Sequence, residues 1–102
     1  MEIEILYIDG CPHVQVTLNR VHRAMATSGI MCPIIETKVD NFETAQSQRF
    51  LGSPSVRVNG IDIEPAARVK TDFGIMCRRY DGSGVPPESL IQSAIVNAQW
   101  LA

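Results

Sequence analysis

The sequence predicts an α/β fold in which helices flank a mixed four-stranded sheet. A β-rich run at the start of the chain stops at Asp9-Gly10 and passes into an amphipathic helix, which begins a βαβ unit with parallel strands. The dipeptide Asn59-Gly60 lies between two short β-rich runs and predicts an antiparallel hairpin. The chain has 102 residues, of which 45% are hydrophobic and 20% charged. This length and balance predict one domain over 1–102 with its own core, in the order β-α-β-α-β-β-α.

The first strand and the first helix are the clearest elements. Residues 2–8 begin with alternating side chains and continue as an apolar run, which predicts a strand buried on both faces. The helix is expected to start at Pro12, which suits a first helical turn, and to stop at Ser28-Gly29. Its apolar stripe consists of Val14, Leu18, Val21 and Met25. A second strand is expected over 33–39.

The middle of the chain predicts a short helix and a hairpin. Asn41 is a typical N-cap for a helix over 43–50. Alternating side chains over Ser55–Val58 and 61–64 predict the two strands joined by the Asn-Gly turn, and Pro65 ends the second of them.

The last third of the chain is less regular. Residues 66–84 mix aromatic, charged and glycine residues, and we expect one short extra element within 75–80. A final helix opens at Pro86. Its apolar side consists of Leu90, Ile91, Ala94, Ile95 and Ala98.

Composition and charge exclude several classes of function. The formal net charge of −2 offers no basic face for nucleic acid. The sequence has no apolar run of the roughly 18 residues that a membrane span needs. Acidic residues near the start of the chain argue against a secretion signal, so we expect a cytoplasmic protein. No glycine-rich nucleotide loop and no metal-ligand spacing occurs, so neither a cofactor nor a metal is expected.

The three cysteines, Cys11, Cys32 and Cys77, are too far apart in sequence for a C-x-x-C pair. We expect Cys32 to be a core residue. Cys11 follows the first strand and precedes the first helix, at the edge of the sheet where α/β proteins usually bind ligands. The helix N-terminus and a protonated His13 would both favour its thiolate form. Cys11 is therefore the candidate nucleophile.

The sequence Cys11-Pro12-His13 resembles the Cys-Pro-His-Cys oxidoreductases of the thioredoxin superfamily. Gly52-Ser53-Pro54, directly before a strand, matches the place where that superfamily carries a cis-proline facing the active cysteine. The resemblance implies a thioredoxin-like fold in which Pro12, Ser53 and Pro54 contact the substrate. It also implies that the backbone of Ser53 pairs with a bound thiol or peptide.

A closer resemblance is to the small thioredoxin-like proteins called DF family (seleno)proteins, some of which are labelled alkylmercury lyase. Four ordered blocks carry it: YIDGCP at 7–12, LGSPSVRVNG at 51–60, CRRY at 77–80 and GVP at 84–86. Selenocysteine replaces the first cysteine in some relatives, which suits a redox nucleophile.

Two positions depart from the thioredoxin pattern. Val14 stands where the second cysteine of C-x-x-C would be, so Cys11 is a monothiol within its own motif. Ile5 stands where thioredoxins bury an acid. We therefore expect Cys11 to form a mixed disulfide that Cys77, or an external thiol, resolves. Arg78 and its neighbour Arg79 are expected to be a solvated pair.

The sequence thus predicts a thiol-redox protein whose catalytic residues are Cys11, His13 and Cys77, and whose partner is a protein or glutathione-like thiol or disulfide. Two alternatives stay open. In the first, Cys11 and Cys77 bind a soft metal or an organomercurial as thiolates. In the second, the protein is a non-enzymatic module whose Pro54 groove binds a partner strand. The edge strand and residues 66–84 offer a surface for a homodimer.

Overall fold

A mixed four-stranded sheet forms the centre of the molecule, in a computed structural model that describes residues 1–101. Its strands are β1 (Ile3–Tyr7), β2 (Ile34–Lys38), β3 (Ser55–Val58) and β4 (Ile61–Asp62), in the spatial order β2-β1-β3-β4. β1 pairs parallel with β2 and antiparallel with β3, and β3 pairs antiparallel with β4. The predicted α/β class and mixed four-stranded sheet are confirmed.

Three α-helices cover this sheet within the described residues. They are α1 (Val14–Ser28), α2 (Phe42–Ser47) and α3 (Glu88–Leu101). α1 and α3 pack together on one face, where their apolar side chains and those of β1 and β3 form the main core. On the other face a smaller core of Leu6, Val39, Ala45 and Phe50 lies under α2. None of the helices in the described part of the chain is long and apolar enough to cross a membrane.

Helix α1 begins at Val14, two residues later than the sequence predicts. The N–H of Cys11 donates to the carbonyl of Ile8 over 3.3 Å, which holds the chain in a turn before the helix. His13 then takes the N-cap position, and its carbonyl accepts both the N–H of Thr17 and its Oγ1 hydroxyl. Pro12 therefore lies in the turn and not in the first helical turn.

The short helix α2 has the predicted N-cap, starts one residue before the predicted 43 and ends three residues before the predicted 50. Asn41 is its N-cap, and its Oδ1 accepts the Thr44 N–H over 2.8 Å. The helix ends at Ser47 because Arg49 adopts a left-handed φ of 55°. That turn directs Phe50 into the smaller core, where its ring is fully buried.

The hairpin turn is confirmed, and its second strand is shorter than predicted. Asn59 and Gly60 have φ values of 52° and 79°, as a two-residue type I′ turn requires. β4 ends at Asp62 because Oδ1 of that residue accepts the N–H of Glu64 over 2.9 Å, which bends the chain.

Residues 65–84 contain one element that the sequence did not predict, a 3₁₀ helix over Pro65–Val69. The expected extra element within 75–80 is an extended segment without regular strand or helix. It is held by two isolated bridges, Ser53 with Cys77 and Tyr80 with Ser83.

The Asn41 cap provides a test of the local structure of α2. Replacing it with Ala (Asn41→Ala) removes the acceptor for the Thr44 N–H, and we expect the free energy of unfolding to fall by about 1 kcal/mol. Asn41→Asp keeps an acceptor at the same place and should lose much less. Urea unfolding of both variants measures the difference. Equal losses in the two variants would contradict the capping role.

Candidate functional site

The C-terminal end of β1 and the N-terminal end of β3 meet at one edge of the sheet, by which we mean the edge formed by the ends of its strands. The two strands are antiparallel, with Leu6 opposite Ser55, so the residues after β1 lie beside those before β3. The N–H of Ile8 donates to Ser53 Oγ over 3.1 Å. Cys11 is tied to the same point, because its N–H donates to the carbonyl of Ile8. The fold therefore brings Cys11 and Ser53 to the same edge, although 42 positions separate them in sequence.

The peptide bond between Ser53 and Pro54 is cis, as the thioredoxin resemblance implies. Ser53 has no exposed surface and Pro54 is also buried. The N–H of Ser53 donates to the carbonyl of Met76 over 2.8 Å, and its carbonyl accepts the N–H of Arg78 over 3.0 Å. The two backbone groups that the resemblance assigns to a substrate are thus bonded to residues 76–78 of the same chain. We call residues 76–78 the clamp segment.

Cys77 is the central residue of the clamp segment and the bridge partner of Ser53. Paired extended segments lie about 4.8 Å apart, so the backbone of Cys77 directly adjoins the Ser53–Pro54 bond. Cys77 is exposed, Cys11 is half-buried, and both are free thiols. Two reachable thiols therefore lie on chain segments that are both hydrogen-bonded to the Ile8–Ser53 junction.

Cys11 lies three residues before α1, further from the helix N-terminus than the sequence predicts. The half-buried His13 ring packs on Gly84. A Cβ atom at that glycine would lie 2.6 Å from His13 Nε2, so a side chain there would displace the ring from this position. Within the described residues no hydrogen bond joins the His13 side chain to Cys11. Pro12, between them, is exposed.

Arg78 is not part of a solvated pair, and that prediction is wrong. It is only 5% exposed, and its guanidinium donates two hydrogen bonds to Asp62 at 2.7 and 2.8 Å. Further bonds reach Glu64 at 3.2 Å and Ser55 Oγ at 3.1 Å. Only Arg79 is exposed as expected. The carboxylate partners are 14 and 16 positions away in sequence, and the local pattern of charges does not reveal them.

The buried arginine is held in its charged form. Burial by itself lowers the pKa of Arg78, but the hydrogen bonds that its guanidinium donates to Asp62 and Glu64, together with the negative charge of Asp62, outweigh burial and raise the pKa above its ordinary value. The backbone N–H of the same residue holds Ser53. The ion pairs therefore fix the position of the clamp segment and of Cys77 within it.

Tyr80 holds the clamp segment at a second point. Its hydroxyl donates to the carbonyl of Pro54 over 2.6 Å, and the Arg78 guanidinium lies 4.5 Å from the centre of its ring. The tyrosine is 1% exposed, and this burial raises the pKa of its phenol. Arg78 and Tyr80 are two positions apart, so in an extended segment both side chains point to the same, buried side. That spacing is the one signal in the sequence that these two residues are not surface groups.

Gly52 completes the contact between the Ser53–Pro54 loop and the clamp segment. Its φ is +115°, and a Cβ atom there would lie 3.0 Å from Cβ of Arg78 and 3.1 Å from its backbone nitrogen. A side chain would separate the two segments. Glycine is therefore required by both the backbone angle and the close approach.

Cys32 lies at the other edge of the sheet. It precedes β2, which runs parallel to β1, and the carbonyl of the adjacent Pro33 accepts the N–H of Ile3. Cys32 packs against the main core, and burial raises the pKa of its thiol. It is separate from the two thiols of the candidate site. No group of three or more His, Cys, Asp or Glu residues in the described part of the chain is arranged to hold a metal ion.

The arginine pair at 78 and 79 allows a matched test of the buried network. Arg78→Met leaves the Asp62 and Glu64 carboxylates without their partner, and we expect the free energy of unfolding to fall by about 3–5 kcal/mol. Arg79→Met changes the same charge at an exposed position, and its effect should stay within about 0.5 kcal/mol. Thermal and urea unfolding measure both. Similar losses in the two variants would show that the network does not hold the segment.

The Tyr80 hydroxyl allows a test by pH. Tyr80→Phe removes the bond to the Pro54 carbonyl, which should lower the free energy of unfolding by about 1–2 kcal/mol at pH 7. Because the folded-state pKa of Tyr80 is raised, the unfolded chain ionises first as pH rises above about 10. The native protein then loses up to about 1.4 kcal/mol of stability per pH unit from this group.

The phenylalanine variant lacks this ionisation, so the stability difference between the two proteins should shrink from pH 10 upward. Urea unfolding at pH 7, 9, 10 and 11 measures it. A difference that stays constant over this range would show that the phenol is not buried.

No protein-family model, no curated protein and no solved structure matches the chain. Its chemistry is therefore inferred from the groups that meet at this edge of the sheet. The chain segments that carry Cys11 and Cys77 are both bonded to Ser53 or to its partner Ile8, and His13 follows Cys11 by two residues.

Proposed function

We propose that the protein is a thiol–disulfide oxidoreductase of thioredoxin-like fold, in which Cys11 is the nucleophile and Cys77 the resolving thiol. The observation that carries this proposal is the pairing of Ser53 with the segment that contains Cys77. The pairing holds the backbone of Cys77 beside the cis-proline loop. In the thioredoxin superfamily that loop faces the active cysteine.

The fold supports the thioredoxin-like part of this proposal. The element order β-α-β-α-β-β-α agrees with the resemblance, as does the cis-proline immediately before β3. So does the position of Cys11 between β1 and α1.

The placement of Cys11 supports its role as the nucleophile. It is half-buried, so a substrate sulfur can reach it while part of its surface is shielded from water. It lies on the amino-terminal side of α1, three residues before the helix begins. A thiolate is the reactive form of cysteine in disulfide exchange.

The reaction is a pair of thiol–disulfide exchanges. The Cys11 thiolate attacks one sulfur of a substrate disulfide, forms a mixed disulfide and releases the other sulfur as a thiolate. The Cys77 thiolate then attacks the Cys11 sulfur, forms the Cys11–Cys77 disulfide and releases the second substrate thiolate. The substrate gains two electrons and the protein loses two. An external thiol such as glutathione restores the dithiol form by the reverse exchanges.

The same pairing weighs against a binding module that captures a partner strand at the Pro54 groove. The N–H and the carbonyl of Ser53 are bonded to the clamp segment, so a partner strand would have to displace it. Binding of a soft metal by two thiolates uses the same cysteines and is distinguished by experiment.

The cysteine variants test the proposal directly. Reduced protein treated with glutathione disulfide should lose two hydrogen atoms, the mass change of an internal disulfide. Cys77→Ser should stop at the mixed disulfide and gain one glutathionyl group, because no resolving thiol is present. Cys11→Ser should form neither product at a comparable rate. Cys32→Ser is the matched control and should behave like the wild type. Intact mass spectrometry, with peptide mapping of the linked residues, reads each outcome.

Three results would overturn the proposal. The first is a glutathionyl adduct that persists in the wild type as it does in Cys77→Ser. The second is a Cys11→Ser variant that reacts as fast as the wild type. The third is tight mercury(II) binding that needs both thiols in a protein that does not react with disulfides, which would establish the metal-binding alternative.

A further inference from the structure

A basic pocket of about 260 Å³ lies beside β3 and β4, next to the 3₁₀ helix. Four cationic side chains line it: Arg49, Arg57, Arg68 and Lys70. They are four of the nine lysines and arginines in a chain whose net charge is −2. None of Cys11, His13, Ser53, Pro54 and Cys77 lines this pocket, so it is separate from the thiol site.

The carboxylates near the pocket are already engaged. Asp62, the one acidic residue that lines it, is bound by both terminal nitrogens of Arg78. Glu4 lies opposite Arg57 in the strand register and its negative charge raises the pKa of Arg57, but its carboxylate oxygen is bonded to the Thr37 hydroxyl, which donates to it over 2.7 Å. Within the described residues no carboxylate oxygen lies within 4.0 Å of a cationic nitrogen of the four lining residues. Among the residues that the structure describes, the positive charges of these four side chains therefore have no ion-pair partner.

Two of the arginines are held in place by carbonyl groups. The Arg57 guanidinium donates to the backbone carbonyls of Gln48 and Arg49. Arg68 Nε donates to the Asp62 carbonyl over 2.9 Å. Neutral carbonyls position a guanidinium without cancelling its charge. The remaining N–H groups of each fork stay available for an anion.

The partial burial of Arg57 and the nearby positive charges make the pocket favourable for an anion. Arg57 is partly buried, and burial lowers the pKa of its guanidinium. The positive charges of Arg49 and Arg78 also lower this pKa, whereas the negative charges of Glu4 and Asp62 raise it. An anion beside these guanidinium groups relieves their mutual repulsion and replaces lost hydration.

One wall of the pocket is apolar. It is formed by Leu51, Ile61, Ala67 and Phe73, and the Arg49 guanidinium lies 5.0 Å from the centre of the Phe73 ring. The volume is slightly below the roughly 300–1,000 Å³ of pockets that hold drug-sized ligands. A ligand that fits combines a compact, doubly charged head with a small apolar group.

We propose that this pocket binds a small organic phosphate, with the phosphate on the guanidinium groups and the organic part against the apolar wall. A phosphate monoester carries close to two negative charges at pH 7, and its three terminal oxygens match the planar forks of several arginines. A carboxylate carries one negative charge and two oxygens, so it can accept hydrogen bonds from fewer of these guanidinium groups. The proposal does not depend on the redox role of the cysteines.

Titration with phenyl phosphate, followed by amide NMR shifts, tests the proposal. We expect saturable shifts centred on Gly60, Ile61 and Lys70, with an affinity that falls as salt is added. Lys70→Gln and Arg68→Gln should each weaken binding roughly tenfold, because each removes one charged hydrogen-bond donor. Lys38→Gln is the matched control. It removes the same charge at a position outside the pocket and should leave binding unchanged.

Two further probes measure the contributions of the phosphate and of the organic group to binding separately. Phenol, which has the ring without the charge, should not bind. Inorganic phosphate should bind more weakly than phenyl phosphate, because it does not contact the apolar wall. Equal affinity for the two phosphates would overturn the organic part of the proposal.

The whole proposal is overturned by any of three results: the absence of saturable shifts, shifts spread over the whole surface, or equal weakening in Lys38→Gln. Lys70 is exposed and its side chain makes no hydrogen bond within the described residues, so the Lys70→Gln variant keeps the test valid even if Arg68→Gln fails to fold. Each variant's ligand-free spectrum outside the pocket checks its fold.

Discussion

The buried ion pair between Arg78 and Asp62 is the interaction on which the unusual parts of this structure depend. A guanidinium that is 5% exposed must have its charge matched, and two carboxylates of the β4 region supply that match. The backbone of the same arginine is bonded to Ser53. One residue thus joins the hairpin, the cis-proline loop and the segment that carries Cys77. Tyr80 strengthens the connection through the Pro54 carbonyl.

The same ion pair gives both proposed sites their character. On one side it holds Cys77 against the Ser53–Pro54 loop, at the sheet edge that also carries Cys11. On the other side it occupies Asp62, so the pocket lined by Arg57 and its neighbours keeps a surplus of positive charge. A carboxylate used within the core is not free to neutralise the pocket. The proposed thiol chemistry and the proposed anion binding are thus separate activities whose sites both depend on the Arg78–Asp62 ion pair.

Local sequence signals determined the order of the strands and α-helices and the approximate extent of each. The Asn59-Gly60 turn, the Asn41 cap and the Gly29 stop were all predictable, because the backbone angles and side-chain bonds that they impose involve residues within four positions of each other. The position of Cys11 between β1 and α1 followed from the same local patterns. The cis bond at Ser53–Pro54 was expected only from the family resemblance.

Tertiary structure alone decided the surroundings of Cys77 and the surplus of positive charge in the basic pocket. Arg78 and Arg79 are identical residues side by side, yet one is buried between two carboxylates and the other is exposed, because only one points toward the hairpin. The pairing of the clamp segment with Ser53 spans 24 positions of sequence. By itself the sequence determined the α/β class and identified Cys11 as the candidate nucleophile. Which side chains meet at that sheet edge, and which charges remain unpaired, depends on long-range packing that no local pattern encodes.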